Sequence, residues 1–108
     1  MATTLLEYHV LLALADGALH GFAIADRVAE DSGGAQRPRA GSLYRVIARL
    51  MAEGWVDERA ATDDAPHPGL PRRYYALTAL GRRTLAEEAA RLRQAAAVAI
   101  KRLGVSRS

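Results

Sequence analysis

Leu43, Val46, Ile47, Leu50 and Met51 recur at i, i+3, i+4, i+7 and i+8, and the run ends at Gly54. That spacing lays the apolar side chains along one face of an α-helix, and such a face must be buried against other elements. Beyond Gly54, placed as the C-cap, the period changes. Trp55, Val56, Asp57, Glu58 and Arg59 read as a short strand, and Arg72, Arg73, Tyr74, Tyr75, Ala76 and Leu77 as a second. Alternation makes one of Tyr74 and Tyr75 a core residue. Between the strands, Asp63, Asp64, Pro66, Pro68, Gly69 and Pro71 exclude helix and inner strand, so a hairpin with a long tip is predicted.

Two helices precede this unit. The first runs from about Thr4 to Ala15, with Leu5, Leu6, Tyr8, Leu11, Leu12 and Ala15 at helical spacing, and Asp16 and Gly17 end it. His20 and Gly21 open the second, in which Phe22, Ile24, Ala25, Val28 and Ala29 form one face until Ser32, Gly33 and Gly34 stop it. After the hairpin, Thr78 supplies an N-cap hydroxyl. From Ala79 to Leu103 the composition turns to alanine, leucine, arginine and glutamate without proline, which predicts one long helix. The fold class is therefore mostly α with a small β-hairpin, the order of a winged helix-turn-helix plus a long C-terminal helix. Residues 1–77 form the compact unit, and residues 78–108 the helical extension and tail.

At 108 residues there is room for one core. Half the residues are hydrophobic and a quarter charged, the balance of a chain that folds. With no cysteine, disulfides, thiolate zinc sites and cysteine nucleophiles are excluded. His9, His20 and His67 lie far apart in sequence, so no metal site and no cofactor is expected. Ser42 lacks plausible histidine and carboxylate partners, and Gly33 and Gly34 lack the lysine of a phosphate loop, so no enzyme is expected. The start of the chain lacks the basic and apolar runs of a signal peptide, and no stretch approaches the roughly 18 apolar residues of a membrane span. A cytoplasmic protein without a membrane partner is the expectation.

The net charge is +3, modest by itself, but its distribution is not even. No acid occurs from Gly33 to Ala52, where Arg37, Arg39, Arg45 and Arg49 fall, or from Ala65 to Ala86, where Arg72, Arg73, Arg82 and Arg83 fall. If the two segments share one face, they make the electrostatic footprint of a nucleic-acid-binding protein.

Leu19, His20, Gly21, Phe22 and Ile24, then Gly41, Ser42, Leu43 and Tyr44 leading to Leu50, Glu53 and Gly54, and finally Arg72 to Thr78 with Gly81, carry a resemblance in order and register. From Leu5 to Leu85 the chain resembles the PadR family of bacterial regulators, and its short tail resembles the small subgroup whose C-terminal helix makes the dimer. The resemblance implies that the third helix enters the major groove, with Ser42, Arg45 and Arg49 on its outward face and the Tyr44 hydroxyl on a phosphate. It also implies that the basic pair Arg72 and Arg73 tracks the backbone or reaches the minor groove. His20 and Gly21 would offer phosphate the free N–H groups of the second helix, with Arg37 and Arg39 nearby. Where the family has a glycine-rich wing tip, this chain has Asp63, Asp64, Ala65, Pro66, His67 and Pro68, so the tip is expected to point away from DNA.

In the long helix Leu85, Ala89, Leu92, Ala96, Ala99 and Leu103 recur at alternating spacings of four and three, the seam of helices packed along their length. A homodimer reading an inverted-repeat operator follows. Small relatives bind flat aromatic compounds with a tryptophan of that helix, which here has no aromatic residue. Trp55 reads first as a core residue; a small hydrophobic or aromatic effector, if there is one, is expected at Trp55, Tyr8 or aliphatic side chains near the first helix. The expected function is a sequence-specific DNA-binding transcriptional regulator, a repressor released by such an effector. The competing reading is a winged-helix interaction module that binds protein or RNA.

Overall fold

The computed structural model describes residues 3–59 and 73–104. The order is α1 (Leu5–Ala13), β1 (Leu19–His20), α2 (Gly21–Asp31), α3 (Ala40–Ala52), β2 (Val56–Arg59), β3 (Tyr74–Leu77) and α4 (Ala79–Leu103). Arg72, the acidic tip and the last four residues lie outside the described residues.

Each long element starts where local chemistry says it should. Thr4 Oγ1 accepts from Glu7 N at 3.1 Å while Glu7 Oε1 accepts from Thr4 N at 2.9 Å, a reciprocal capping box. The Thr-x-x-Glu spacing is a signal that the periodicity reading passed over. Thr78 caps α4 by accepting from Gly81 N at 2.9 Å, as expected. Gly54 has φ +81°, the left-handed conformation that ends α3 and that glycine adopts without steric cost.

The sheet has three strands in the order β1-β3-β2, both pairs antiparallel. Val56 faces Leu77 and Arg59 faces Tyr74 across the expected hairpin, while Leu19 and His20 pair with Tyr75 and Tyr74. The third strand was missed because two residues are too short to display a period of two. Tyr75 is the core member of the tyrosine pair, as alternation predicts, and Tyr74 is half-buried, while Ala76 and Leu77 beyond them are both buried.

Val10, Leu11 and Leu14 meet Ile24 and Val28 of α2 and Leu43, Ile47 and Leu50 of α3 in one core, closed by Trp55, Val56, Tyr75 and Leu77. Three apolar residues of the expected faces of α1, α2 and α3 are exposed, Leu5 at the first turn of α1 among them. Phe22 is 81% exposed. Two positions apart on a helix means about 200° of rotation, so Phe22 cannot share the buried face of Ile24. Met51, at the edge of the α3 stripe, is 36% exposed. Trp55 is a core residue, as the first of its two readings has it, which leaves it little face to offer a ligand. Tyr8 is half-buried on α1, its ring edge-on to His9.

Glu7 and Glu88 are buried acids that sequence reading did not single out. Both face the N-terminal turn of α1. Glu88 Oε2 accepts from Thr3 Oγ1 at 3.4 Å and its other oxygen pairs with Arg91 one turn along α4. That pairing holds the Glu88 carboxyl below the usual carboxylate range, against burial, which pushes it up. The Arg91 guanidinium is correspondingly held more firmly protonated.

Candidate nucleic-acid interface

α3 begins at the surface. Its N-cap residue, Arg39, makes no side-chain hydrogen bond to the helix, so the first N–H groups are left to solvent or to an acceptor from outside. The first turn holds no acid, and Arg37, Arg39, Ala40 and Gly41 around it are exposed. Tyr44, 48% exposed, and Arg45, exposed, follow on the outward side, with Ser42 half-buried. The Arg37 guanidinium lies over Gly34, where a Cβ would come within 3.1 Å of Nη2.

Gly21 is buried directly beneath Tyr44. A Cβ at Gly21 would overlap the Tyr44 hydroxyl and stand 2.9 Å from its Cζ, so the missing side chain is the seat on which the phenol rests. His20 closes the N-terminus of α2 by accepting from Ala23 N at 3.4 Å through Nδ1. The expectation of free N–H groups there is corrected in part, because one of them is taken by the preceding imidazole.

A row of rings joins this end of the motif to the wing. The His20 ring stands edge-on to Phe22 at 6.5 Å and to Tyr74 of β3 at 5.7 Å. Arg73, beside Tyr74, is largely exposed and only loosely paired with Glu58 at 3.8 Å, an ion pair between solvated side chains that contributes little. Burial first, then Glu58 and Tyr44, push the Tyr75 hydroxyl up, while Arg73 pulls it down. Tyr44 of α3 and Arg73 of the wing thus both act on the Tyr75 hydroxyl of β3.

Arg49 of α3 is held by two carboxylates. Its Nε donates to Glu7 Oε2 at 2.6 Å, and Nη1 to Glu53 Oε2 at 3.3 Å. The bond to Glu7, more than that to Glu53, holds Arg49 firmly protonated. Arg45 and Arg49, four positions apart, leave α3 on the same side, and Arg49, expected to meet DNA, reaches the buried Glu7 carboxylate of α1 while its side chain stays 43% exposed. Arg82, exposed, donates to the Ala15 carbonyl at 3.1 Å.

The apolar stripe of α4 divides as its position along the helix dictates. Leu85 packs, partly buried, against the core of its own chain, and Ala89 is half-buried. Farther out Leu92 is 41% and Leu103 74% exposed, with Ala96 and Ala99 also exposed. Among the described residues no group of His, Cys, Asp or Glu could hold a metal, and no helix is long and apolar enough to cross a membrane.

Comparison with known proteins bears on this arrangement. A PadR family transcription regulator from Clostridium difficile superposes with a TM-score of 0.78 at 20% identity, over 93% of this chain and 99% of that one. A PadR-like transcriptional regulator from Bacillus cereus gives 0.77 at 18% identity, over 94% and 93%. Bacillus subtilis PadR, in complex with operator DNA, gives 0.66 at 25% identity over 77% of this chain, which spans only 45% of that protein. No curated protein matches the chain. The family model described as "Transcriptional regulator PadR-like family" matches residues 10–87, from the middle of α1 through the wing into α4, and the chain belongs to that family.

Proposed function

We propose that this chain is a sequence-specific DNA-binding transcriptional regulator, with residues 1–77 as the DNA-binding unit and residues 78–108 as the dimerising extension. What supports the reading is the exposure of Arg37, Arg39, Tyr44 and Arg45 around the start of α3 and of Arg73 on the wing, with the His20 ring at the start of α2 against Tyr74 of β3. An α-helix fits the major groove, and a wing beside it reaches the flanking backbone. Arginines supply both phosphate neutralisation and paired donors to guanine. The operator complex of the Bacillus subtilis relative supports the same use of the fold.

The exposed half of the α4 stripe supports a homodimer. Burying Leu92 and Leu103 against a second copy contributes about 1.5 to 3 kcal/mol per large side chain, and Ala96 and Ala99 let two helices approach closely. Two α3 helices one DNA turn apart would read an inverted repeat. Occupancy of such a site blocks transcription, so the regulator is a repressor. A small hydrophobic or aromatic effector near Tyr8 of α1, next to α4, would release it by changing the spacing of the two reading helices.

Mobility shifts with duplexes tiling the region upstream of the gene test the reading, together with sedimentation of the protein alone. Arg45→Ala and Arg73→Ala are each expected to weaken binding and to flatten the slope of log affinity against log salt by about 0.9 for each phosphate no longer neutralised. Leu92→Glu combined with Leu103→Glu should yield a folded monomer that no longer holds the palindromic site. A wild-type monomer at micromolar concentration would refute the dimer. Unchanged salt slopes in both arginine variants would refute the assignment of these arginines to DNA.

A further inference from the structure

Phe22 is the sole phenylalanine of the chain and, among the described residues, the most exposed large apolar side chain, at 81%. A solitary exposed ring needs no explanation, but this one stands on the wall of an apolar groove. The groove, of about 210 Å³, runs between the first turns of α2 and α3, with Phe22 and Ala25 on one side and Pro38, Ala40 and Tyr44 on the other. Leu43 forms its floor. Its surroundings are cationic on the α3 side: Arg37 and Arg39 flank Pro38, and Arg45 follows Tyr44, all exposed. The acid on the other side, Asp26, lies one turn farther along α2 and is exposed.

We propose that this groove holds the sugar edge of a DNA strand, with Phe22 packed against the deoxyribose while the phosphates on either side meet Arg37, Arg39 and the Tyr44 hydroxyl. The inference rests on the DNA-binding reading given above and adds to it an apolar interaction that charge alone would not reveal. Charge complementarity selects the occupant. A hydrophobic protein segment would fill the groove but leave three guanidiniums without counter-charge, whereas a nucleic-acid backbone alternates anionic phosphate with the C–H faces of its sugar. Asp26 sets the course of the strand, which must leave the groove toward Pro38 and Ala40 rather than along α2. Because the packing of Phe22 on the sugar is apolar, removing it should lower affinity without changing the number of phosphates neutralised.

Incorporation of 4-fluorophenylalanine tests this directly, because a single phenylalanine gives a single ¹⁹F resonance. Saturating the labelled full-length protein with the upstream duplex that gives a mobility shift is expected to move that resonance and abolish its H₂O/D₂O isotope shift. Phe22→Ala should bind about tenfold more weakly with the wild-type salt slope, and Phe22→Leu should recover part of the affinity. A mobility shift with an unmoved, still solvated resonance would overturn this placement of Phe22 and leave the DNA reading intact. Failure of every duplex to shift would overturn both. A resonance that moves with protein concentration in the absence of DNA would overturn the proposal in favour of a second copy of the chain as occupant.

Discussion

The carboxylate of Glu7, 4% exposed on α1, accepts a 2.6 Å hydrogen bond from Arg49 Nε on α3. The same carboxylate closes the capping box of its own helix, so one side chain fixes both the start of α1 and the position of α3. Removing either partner leaves a buried charge or an unmet donor, which costs more than the pair contributes.

Arg49→Ala and Glu7→Gln are therefore expected to lower the melting temperature and to weaken DNA binding by misplacing α3. The slope of log affinity against log salt should stay at the wild-type value in both, whereas in Arg45→Ala it flattens by about 0.9. The double variant should be destabilised by less than the sum of the two, since the residues share one interaction. A slope that flattens in Arg49→Ala would return Arg49 to the DNA-binding set.

Gly21→Ala separates folding from function. The added methyl overlaps the Tyr44 hydroxyl, and the phenol, at the surface, can swing out of the way. Thermal unfolding is expected to change by no more than about 1 kcal/mol, the helix-propensity difference between the two residues. DNA affinity should fall toward that of Tyr44→Ala. Wild-type affinity in Gly21→Ala would show that the seat beneath Tyr44 does not matter.

The opposite outcome is expected at Gly81. A Cβ there would overlap the carbonyl oxygen of Trp55 and stand 2.9 Å from its carbon, and neither can rotate away. That carbonyl also accepts from Thr78 N at 3.1 Å, and Thr78 Oγ1 donates to the Gly54 carbonyl at 2.7 Å. Gly81→Ala should cost about 3 kcal/mol or more, visible as a lower melting temperature. Gly41→Ala, with nothing within 4 Å of the new methyl, should be neutral or stabilising. Equal melting temperatures for the two variants would refute the close approach of α4 to Trp55.

Acid should reveal the Glu88 pairing. The Arg91 guanidinium holds the Glu88 carboxyl below its unfolded-chain value, so the folded state binds this proton less readily than the unfolded one. The stabilisation is fully present above about pH 4.3 and disappears as pH falls through the lowered folded value. Glu88→Gln should unfold at a lower temperature near neutral pH, with a shallower decline on acidification. An acid limb identical to wild type would mean that other carboxylates carry the pH dependence.

The sequence by itself determined the order of the four helices and the hairpin, the stop at Gly54, the cap at Thr78 and the face of α3 formed by Leu43, Ile47 and Leu50. These are set by neighbours within a turn or two, and periodicity and capping chemistry report such neighbours. It also marked two acid-free segments, without the means to join them. Tertiary structure decided what depends on residues far apart in the chain. It brought Tyr44 over Gly21 and the His20 ring against Tyr74, paired Leu19 with Tyr75 in a strand too short to have a pattern, and turned Phe22 into solvent. It also divided the arginines of α3, leaving Arg45 on the open face while a carboxylate 42 positions away in sequence took Arg49. A helical wheel gives the direction in which a side chain leaves its helix. Whether that direction ends at solvent or at a buried Glu7 is fixed only by how α1 and α3 pack.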